Sequence, residues 1–453
     1  MIATDLGAIA EWCAGELRGG DAETTVRGVT IDSRRVRGGE LFVALPGERV
    51  DGHQFVAAAC EAGAAAALVT REQPAVLPQV LVADGRRALG AVAAGWRRRF
   101  DIPVVGVAGS NGKTTVKAML GTILERVAPC LVTRGNHNNE LGLPLTLARL
   151  GADHRYAVLE LGASRPGDLQ YLTGIARPDI GIITGIAAEH LDGFGDLDGV
   201  AAGEGELLQG LAEDGVALIN ADDAYAGFLA QLAGERRVLR FGFDPAAEIR
   251  GMLHDDGGLT IRTPRGRIEV RLQLLGRHNC ANALAATAAA EALDVPLETV
   301  AAGLGAVQPA PGRLVWRDCA GGWALIDDTY NANPASLQAA IEVLAEQAGE
   351  TWLVLGDMAE LGGDSRTLHA RAGAAAQAAG IDRLYTVGRD ARAVAAAFGE
   401  NARHFDTIDA LREALRDTIH PGVCCLVKGS RSAAMERIVA ALDSSPAEIG
   451  SRN

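Results

Sequence analysis

Short apolar runs and amphipathic helical stretches alternate along most of the chain, and breaks in that rhythm divide it into three units. Residues 1–99 read as a small mixed unit: a helix near Leu6–Leu17, short strands within VRGVTIDS and GELFVALPG, and an Ala-rich helix ahead of Leu68-Val69-Thr70. Across residues 100–311 the segments IPVVGVAG, RYAVLELG, DIGIITGI and GVALIN read as buried strands of a parallel sheet. Met119, Leu120, Ile123, Leu124 and Val127 share one side of the helix that follows the first of them. Period-two alternation from Glu248 to Leu275, with turn signals at Asp256-Gly257 and Pro264-Arg265-Gly266, predicts a β-rich insertion before an Ala-rich helix starting near Asn279. After Pro309-Ala310-Pro311-Gly312 the rhythm restarts over 312–453 with WALIDDTY, TWLVLGDM, DRLYTVG and VCCLVKGS, each leading into a helical stretch. That proline-rich segment predicts a hinge, and the Ser444–Asn453 tail is expected to be disordered.

Composition narrows the class. At 453 residues the chain is long enough for about three cores. Aromatics make up only 4 %, and abundant Ala and Gly suit helices packed closely on parallel sheets rather than a β-sandwich. A net charge of -14 argues against a nucleic-acid footprint but leaves room for local basic pockets. The seven cysteines lack C-x-x-C spacing, and Cys424 and Cys425 sit side by side in an apolar strand, so they read as reduced core thiols rather than a zinc site. No run approaches the ~18 apolar residues of a membrane span, and no basic segment with an apolar core opens the chain, so a cytoplasmic protein is expected.

The chemistry concentrates at GVAGSNGKTT, where a strand over Ile102–Ala108 runs into a helix beginning near Thr114. Gly109, Ser110, Asn111 and Gly112 let backbone N–H groups close around phosphate oxygens, Lys113 brings a point charge, and the Thr114 hydroxyl suits Mg2+, with Thr115 in the first helical turn. The ligand implied is ATP with magnesium. The fold class expected is therefore α/β in three domains: a small mixed N-terminal domain, a central P-loop ATPase-type domain and a C-terminal Rossmann-like domain.

This loop is followed in order by GNHNNELGLPLTL, LELGASRPGDL, EHLDGFG, GRHNCANALAA, PAPGR, DDTYNANP, LGDMAELG and VKGSRS. Taken together over essentially the whole chain, these segments resemble the Mur ligase family. That family phosphorylates a substrate carboxylate with ATP and lets an amine attack the acyl phosphate. Within it, the N-x-N-N-E-x-G-x-P, DTYNANP and LGDMAELG blocks resemble the member that joins D-alanyl-D-alanine to UDP-N-acetylmuramoyl-tripeptide, as a cytoplasmic monomer. Two alternatives stay open: a sibling or folylpolyglutamate-type ligase adding one amino acid, and a nucleotide-binding relative that has lost ligation.

The resemblance assigns roles residue by residue. Lys113 would neutralise β/γ-phosphate charge, Thr114 and Glu160 would hold magnesium, and His190 would ligate a second magnesium ion near the acyl phosphate. Asn279 and Asn282 would meet adenine, although Asn279 also reads as a helix N-cap. Arg313, just past the hinge, would touch the phosphates on closure, and Asp328 would hold the ribose or that arginine's surroundings. Ser33 and Arg34, with Asp51, Gly52 and His53, match the uridine-diphosphate segment, while DSRR alone also reads as a solvated turn. Asn136, Asn138 and Asn139 match the tripeptide segment, and Asn331 and Asn333 lie where the dipeptide is expected. One position departs from the family. Fourteen residues after the metal histidine the family commonly carries a carbamylated lysine; here it is Glu204, whose carboxylate stands about 3.5 Å closer to the backbone. It reads either as a replacement metal ligand or as a helix-surface residue.

Overall fold

The computed structural model describes residues 1–47, 50–74 and 77–442, so the expected disorder of Ser444–Asn453 lies outside the described residues. Among the described residues four sheets organise three α/β domains: a five-stranded sheet and the antiparallel pair Ala3–Asp5 with Thr25–Arg27 in the N-terminal domain, and one larger sheet in each of the other two.

The N-terminal sheet orders its strands as Glu16–Arg18, Gln79–Leu81, Ala66–Val69, Leu41–Val43 and Val29–Thr30, all parallel except the first pair. The first helix is shorter than its pattern predicts, spanning Leu6–Trp12. Ala14 turns left-handed (φ 49°), the Gly15 N–H donates to the Ala10 carbonyl, and Leu17 pairs with Val80 in the sheet instead of continuing the helix. A Cβ on Gly15 would meet Val80 at 2.4 Å, so close packing on the sheet won over helix continuation.

The central sheet has nine strands. Parallel order runs from Ile249–Leu253 through Arg237–Gly242, Val216–Asn220, Ile180–Ile183, Val104–Ala108 and Tyr156–Glu160 to Cys130–Val132. The expected β-rich insertion is not separate: Ile249–Leu253 pairs in parallel with Arg237–Gly242, and Leu259–Thr263 and Gly266–Val270 add antiparallel at the edge. Ile249, Ile261 and Ile268 are buried in the core that the helix Arg277–Ala292 covers, so the sheet extends to hide them. The strand Val104–Ala108 lies between Ile180–Ile183 and Tyr156–Glu160. The loop after it therefore emerges where chain order reverses across the sheet, at the carboxyl ends where α/β folds bind ligands. Met119, Leu120, Ile123 and Leu124 are fully buried, while Val127 lies beyond the helix Lys113–Glu125 and is exposed.

The C-terminal sheet runs Val315–Cys319, Trp323–Asp328, Val423–Lys428, Glu350–Leu355, Arg383–Val387 and Ala402–Phe405. Its first strand is antiparallel, and neither edge strand is predicted from the sequence pattern, because edges are half-exposed and lack a continuous apolar run. Cys424 and Cys425 are buried in this sheet, and burial pushes the Cys425 thiol far up. Among the described residues no helix is long and apolar enough to cross a membrane.

Candidate active site

The loop between Ala108 and Lys113 is shaped by two glycines in the left-handed region, Gly109 (φ 113°) and Gly112 (φ 86°). A Cβ would meet Thr184 Oγ1 at 2.4 Å on the first and Asn282 Oδ1 at 2.2 Å on the second, so both must be glycine. The segment after the neighbouring strand clamps the loop: Ser110 N–H donates to Gly185 O (2.8 Å), Ala187 N–H to Ser110 Oγ (2.8 Å), and Thr184 Oγ1–H to Asn111 O (2.5 Å). Thr115 is buried in the first turn of the helix Lys113–Glu125, whose N-terminus faces the same space.

The Lys113 ammonium donates to the Gly109 carbonyl, to Ser110 O at 3.3 Å and to Glu189 Oε1 at 3.4 Å. Burial pulls its pKa down, but Glu189, Glu204 and Glu160 more than offset this and the net direction is upward. Glu189 is a participant that the EHLDGFG motif contains but does not mark out. Its place beside His190 was the available signal.

Glu160 ends the strand Tyr156–Glu160 and is 2 % exposed. Its Oε1 accepts from Asn138 Nδ2 (3.0 Å), and its Oε2 lies 2.8 Å from Lys117 Nζ, an ion contact off the line of a hydrogen bond. Glu204 is wholly buried, so its reading as a helix-surface residue is wrong. Its Oε2 accepts from the Gly109 N–H at 2.7 Å, and its Oε1 has no hydrogen-bond partner. Burial raises its pKa to about 7, against the lowering effect of Lys113.

This shift carries a stability prediction. The folded pKa stands above the ordinary 4.5, so the stability tied to the protonated acid is full below pH 4.5 and is lost as pH rises toward about 7. Glu204→Gln keeps an acceptor for Gly109 N–H but cannot ionise. In metal-free buffer its unfolding free energy is expected to exceed the parent's near pH 8 by roughly 3 kcal/mol and to match it within about 1 kcal/mol near pH 5. The same stability difference between variant and parent at the two pH values would remove Glu204 as a buried ionisable group.

Arg313, Asn333 and Glu360 join the C-terminal domain to this centre. Arg313 Nη2 donates to Thr114 Oγ1 at 3.1 Å while its guanidinium stacks 4.2 Å over Tyr330. Asn111 and Asn333 exchange amide hydrogen bonds, the better at 3.0 Å. His190 Nδ1 pairs with Glu360, both residues lie in the left-handed region, and Leu191 N–H donates to Glu360 O at 3.1 Å. Asn333 also caps the helix Pro334–Ala345, so part of its side chain is structural. Behind these contacts Asp328 pairs with the buried Lys428 at 2.5 Å, and Lys428 also donates to Asn331 O at 3.0 Å, leaving the exposed Asn331 side chain outside the pair. Asn279 is not an N-cap: it lies inside the helix Arg277–Ala292, donates to Leu275 O, and accepts from Asn282 Nδ2 at 3.0 Å.

The remaining expected residues form two further groups. In the N-terminal domain the Asp51 carboxylate binds Arg71 and His53, and Arg71, with His53, holds it well below the usual carboxylate range. His53 Nε2 accepts from Thr70 N–H at 3.0 Å, and Gly52 has no room for a Cβ beside Leu45. Arg71, at the end of the strand Ala66–Val69, carries no motif signal. Ser33 and Arg34 form a short 3-10 turn capped by Asp32, which also pairs with Arg34 at 2.8 Å, so this stretch is a turn whatever it binds. In the asparagine loop, Asn136 is exposed, Asn138 reaches Glu160, and Asn139 Oδ1 accepts from Gly142 N–H at 2.9 Å, fixing the next helix.

The donor set suits a nucleoside triphosphate with a divalent cation. A glycine cradle, a helix N-terminus, Lys113 and Arg313 supply positive potential for phosphates. Among the described residues no three His, Cys, Asp or Glu side chains converge into a metal cage.

Family models match three stretches in succession: Mur ligase family, catalytic domain, over residues 25–97; Mur ligase middle domain over 107–290; and Mur ligase, glutamate ligase domain, over 312–431. The UDP-N-acetylmuramoyl-tripeptide--D-alanyl-D-alanine ligase of Escherichia coli (strain K12) is 43 % identical over 98 % of this chain and 99 % of its own. The chain belongs to the Mur ligase family. The Bacillus subtilis (strain 168) ligase of the same name is 34 % identical over 98 % of this chain and 100 % of its own. Among solved Mur ligase structures, MurF from Acinetobacter baumannii superposes with a TM-score of 0.91 at 35 % identity, covering 98 % of this chain and 99 % of that one. MurF ligase from Thermotoga maritima, in complex with ADP, gives 0.81 at 28 % identity over 92 % and 97 %.

Proposed function

We propose that this chain is an ATP-dependent ligase of cytoplasmic peptidoglycan precursor synthesis, joining D-alanyl-D-alanine to UDP-N-acetylmuramoyl-tripeptide through an acyl phosphate. Full-length similarity to ligases of that name supports the substrates. The observation that carries the reading is Arg313 of the C-terminal domain donating to Thr114 of the phosphate loop, because ligation needs the acceptor domain and the nucleotide site in register.

In this reading the phosphate-loop N–H groups and Lys113 hold the nucleotide phosphates, and Arg313 adds a guanidinium where charge spreads during phosphoryl transfer. Thr114, Glu160, His190 and Glu204 would hold Mg2+, which when bound would neutralise phosphate charge. Asn279 and Asn282 would meet adenine, with Asn282 beside Gly112 of the loop, and Asp328, which accepts from Leu314 N–H at 3.2 Å, would hold the ribose or the surroundings of Arg313. Ser33, Arg34, Asp51, Gly52 and His53 would take the uridine diphosphate, and Asn136, Asn138 and Asn139 the peptide. Asn331 and Asn333 would border the dipeptide. Closure of the C-terminal domain would exclude water from the reactive acyl group. We take the active form to be a monomer.

The test is an ADP-release assay over a matrix of UDP-muramoyl peptides and amine acceptors. Turnover is expected only with the UDP-tripeptide and D-alanyl-D-alanine together. Faster turnover with single D-alanine or L-glutamate would mean a sibling activity, and no ADP release with any pair would mean that ligation is lost.

A further inference from the structure

Lys117 stands one turn beyond Lys113 on the phosphate-loop helix and is only 4 % exposed. An ammonium at that depth is retained only with partners. It has two: Glu160 Oε2 at 2.8 Å and the Gly135 carbonyl at 3.1 Å. Gly135 opens the asparagine loop, and that loop returns to the same carboxylate, because Asn138 Nδ2 donates to Glu160 Oε1 at 3.0 Å. The Asn138 carbonyl in turn accepts from Gly162 N–H at 2.9 Å, just past the strand that ends in Glu160. One buried cation thus closes a circuit through three segments: the helix after the phosphate loop, the strand end at Glu160 and loop 135–139.

Stability alone does not account for this charge. Replacing a buried ion pair with well-packed apolar groups is often neutral or favourable, so a plain helix anchor here has no need of an ammonium. The loop that it pins is the one read above as facing the substrate peptide. We propose that Lys117 is a positioning residue for the UDP-tripeptide, holding the asparagine loop against Glu160 so that the Asn136 and Asn138 amides meet the peptide in a fixed register. The inference rests on the substrate reading above. Lys117 touches neither nucleotide nor acceptor in this scheme, and its partner Glu160 bears on the nucleotide only through magnesium, so without metal its loss acts on one ligand and spares the other.

The measurement is equilibrium binding of UDP-N-acetylmuramoyl-tripeptide in metal-free buffer, set beside binding of a non-hydrolysable ATP analogue in the same metal-free buffer. Lys117→Met is expected to weaken UDP-tripeptide binding about tenfold, the scale of one charge-assisted hydrogen bond, and to leave analogue binding within about twofold. Lys117→Arg keeps the charge and its donors and is expected to stay within about threefold for both ligands. If Lys117→Met does not fold, the double variant Lys117→Met/Glu160→Gln leaves no charge unpaired and carries the same expectation for the UDP-tripeptide. Unchanged UDP-tripeptide binding in the folded variant, or parallel loss of both ligands, overturns the proposal. Failure of the parent protein to bind the UDP-tripeptide overturns the functional reading instead.

Discussion

Lys113→Ala is expected to lower kcat on the order of 100-fold or more, the effect of deleting one preorganised electrostatic stabiliser. Two things are lost together. The phosphates lose their nearest ammonium, and Glu189, Glu204 and Glu160 lose the cation that they share. With Lys113 gone, Glu204 loses the strongest influence that lowers its pKa, so that acid should hold its proton to higher pH than the parent's value of about 7. The pH profile of the residual activity should therefore shift alkaline. Near-normal turnover in this variant would sink the phosphate-loop reading, and low turnover with an unmoved profile would uncouple Lys113 from the carboxylates.

The largest stability loss is expected from Lys428→Met. Lys428 is 2 % exposed, and its ammonium neutralises Asp328 at 2.5 Å. Removing it leaves a buried carboxylate without a counter-charge, which costs about 3–5 kcal/mol, far more than a surface pair is worth. Urea unfolding should show the midpoint falling by that energy divided by the slope, with the slope itself unchanged. Lys428→Met/Asp328→Asn should recover much of the loss, since the amide needs no counter-charge and still accepts from Leu314 N–H. A loss under about 1 kcal/mol in the single variant would mean that water reaches the pair and screens it.

The residues that sequence alone located share one property: their chemistry is local. Gly109 to Thr115 declare a phosphate loop because a tight turn, a lysine and a helix start must be contiguous to surround an anion, and the strands feeding it declare themselves by unbroken apolar runs. Three α/β units followed from the same patterning, and the family resemblance supplied roles that periodicity cannot. Tertiary structure decided whatever depends on distant segments meeting. Burial of Glu204 against the Gly109 N–H joins residues 95 positions apart, and nothing in GVAAGEGELL distinguishes a buried carboxylate from a surface one. Lys117, Lys428 and Glu360 read as ordinary charged residues until packing brings each to a partner. The first helix stopped at Trp12 and the strands after Glu248 joined the central sheet for one reason: apolar side chains are hidden by whichever surface lies beside them in space, and that surface is set by the whole fold.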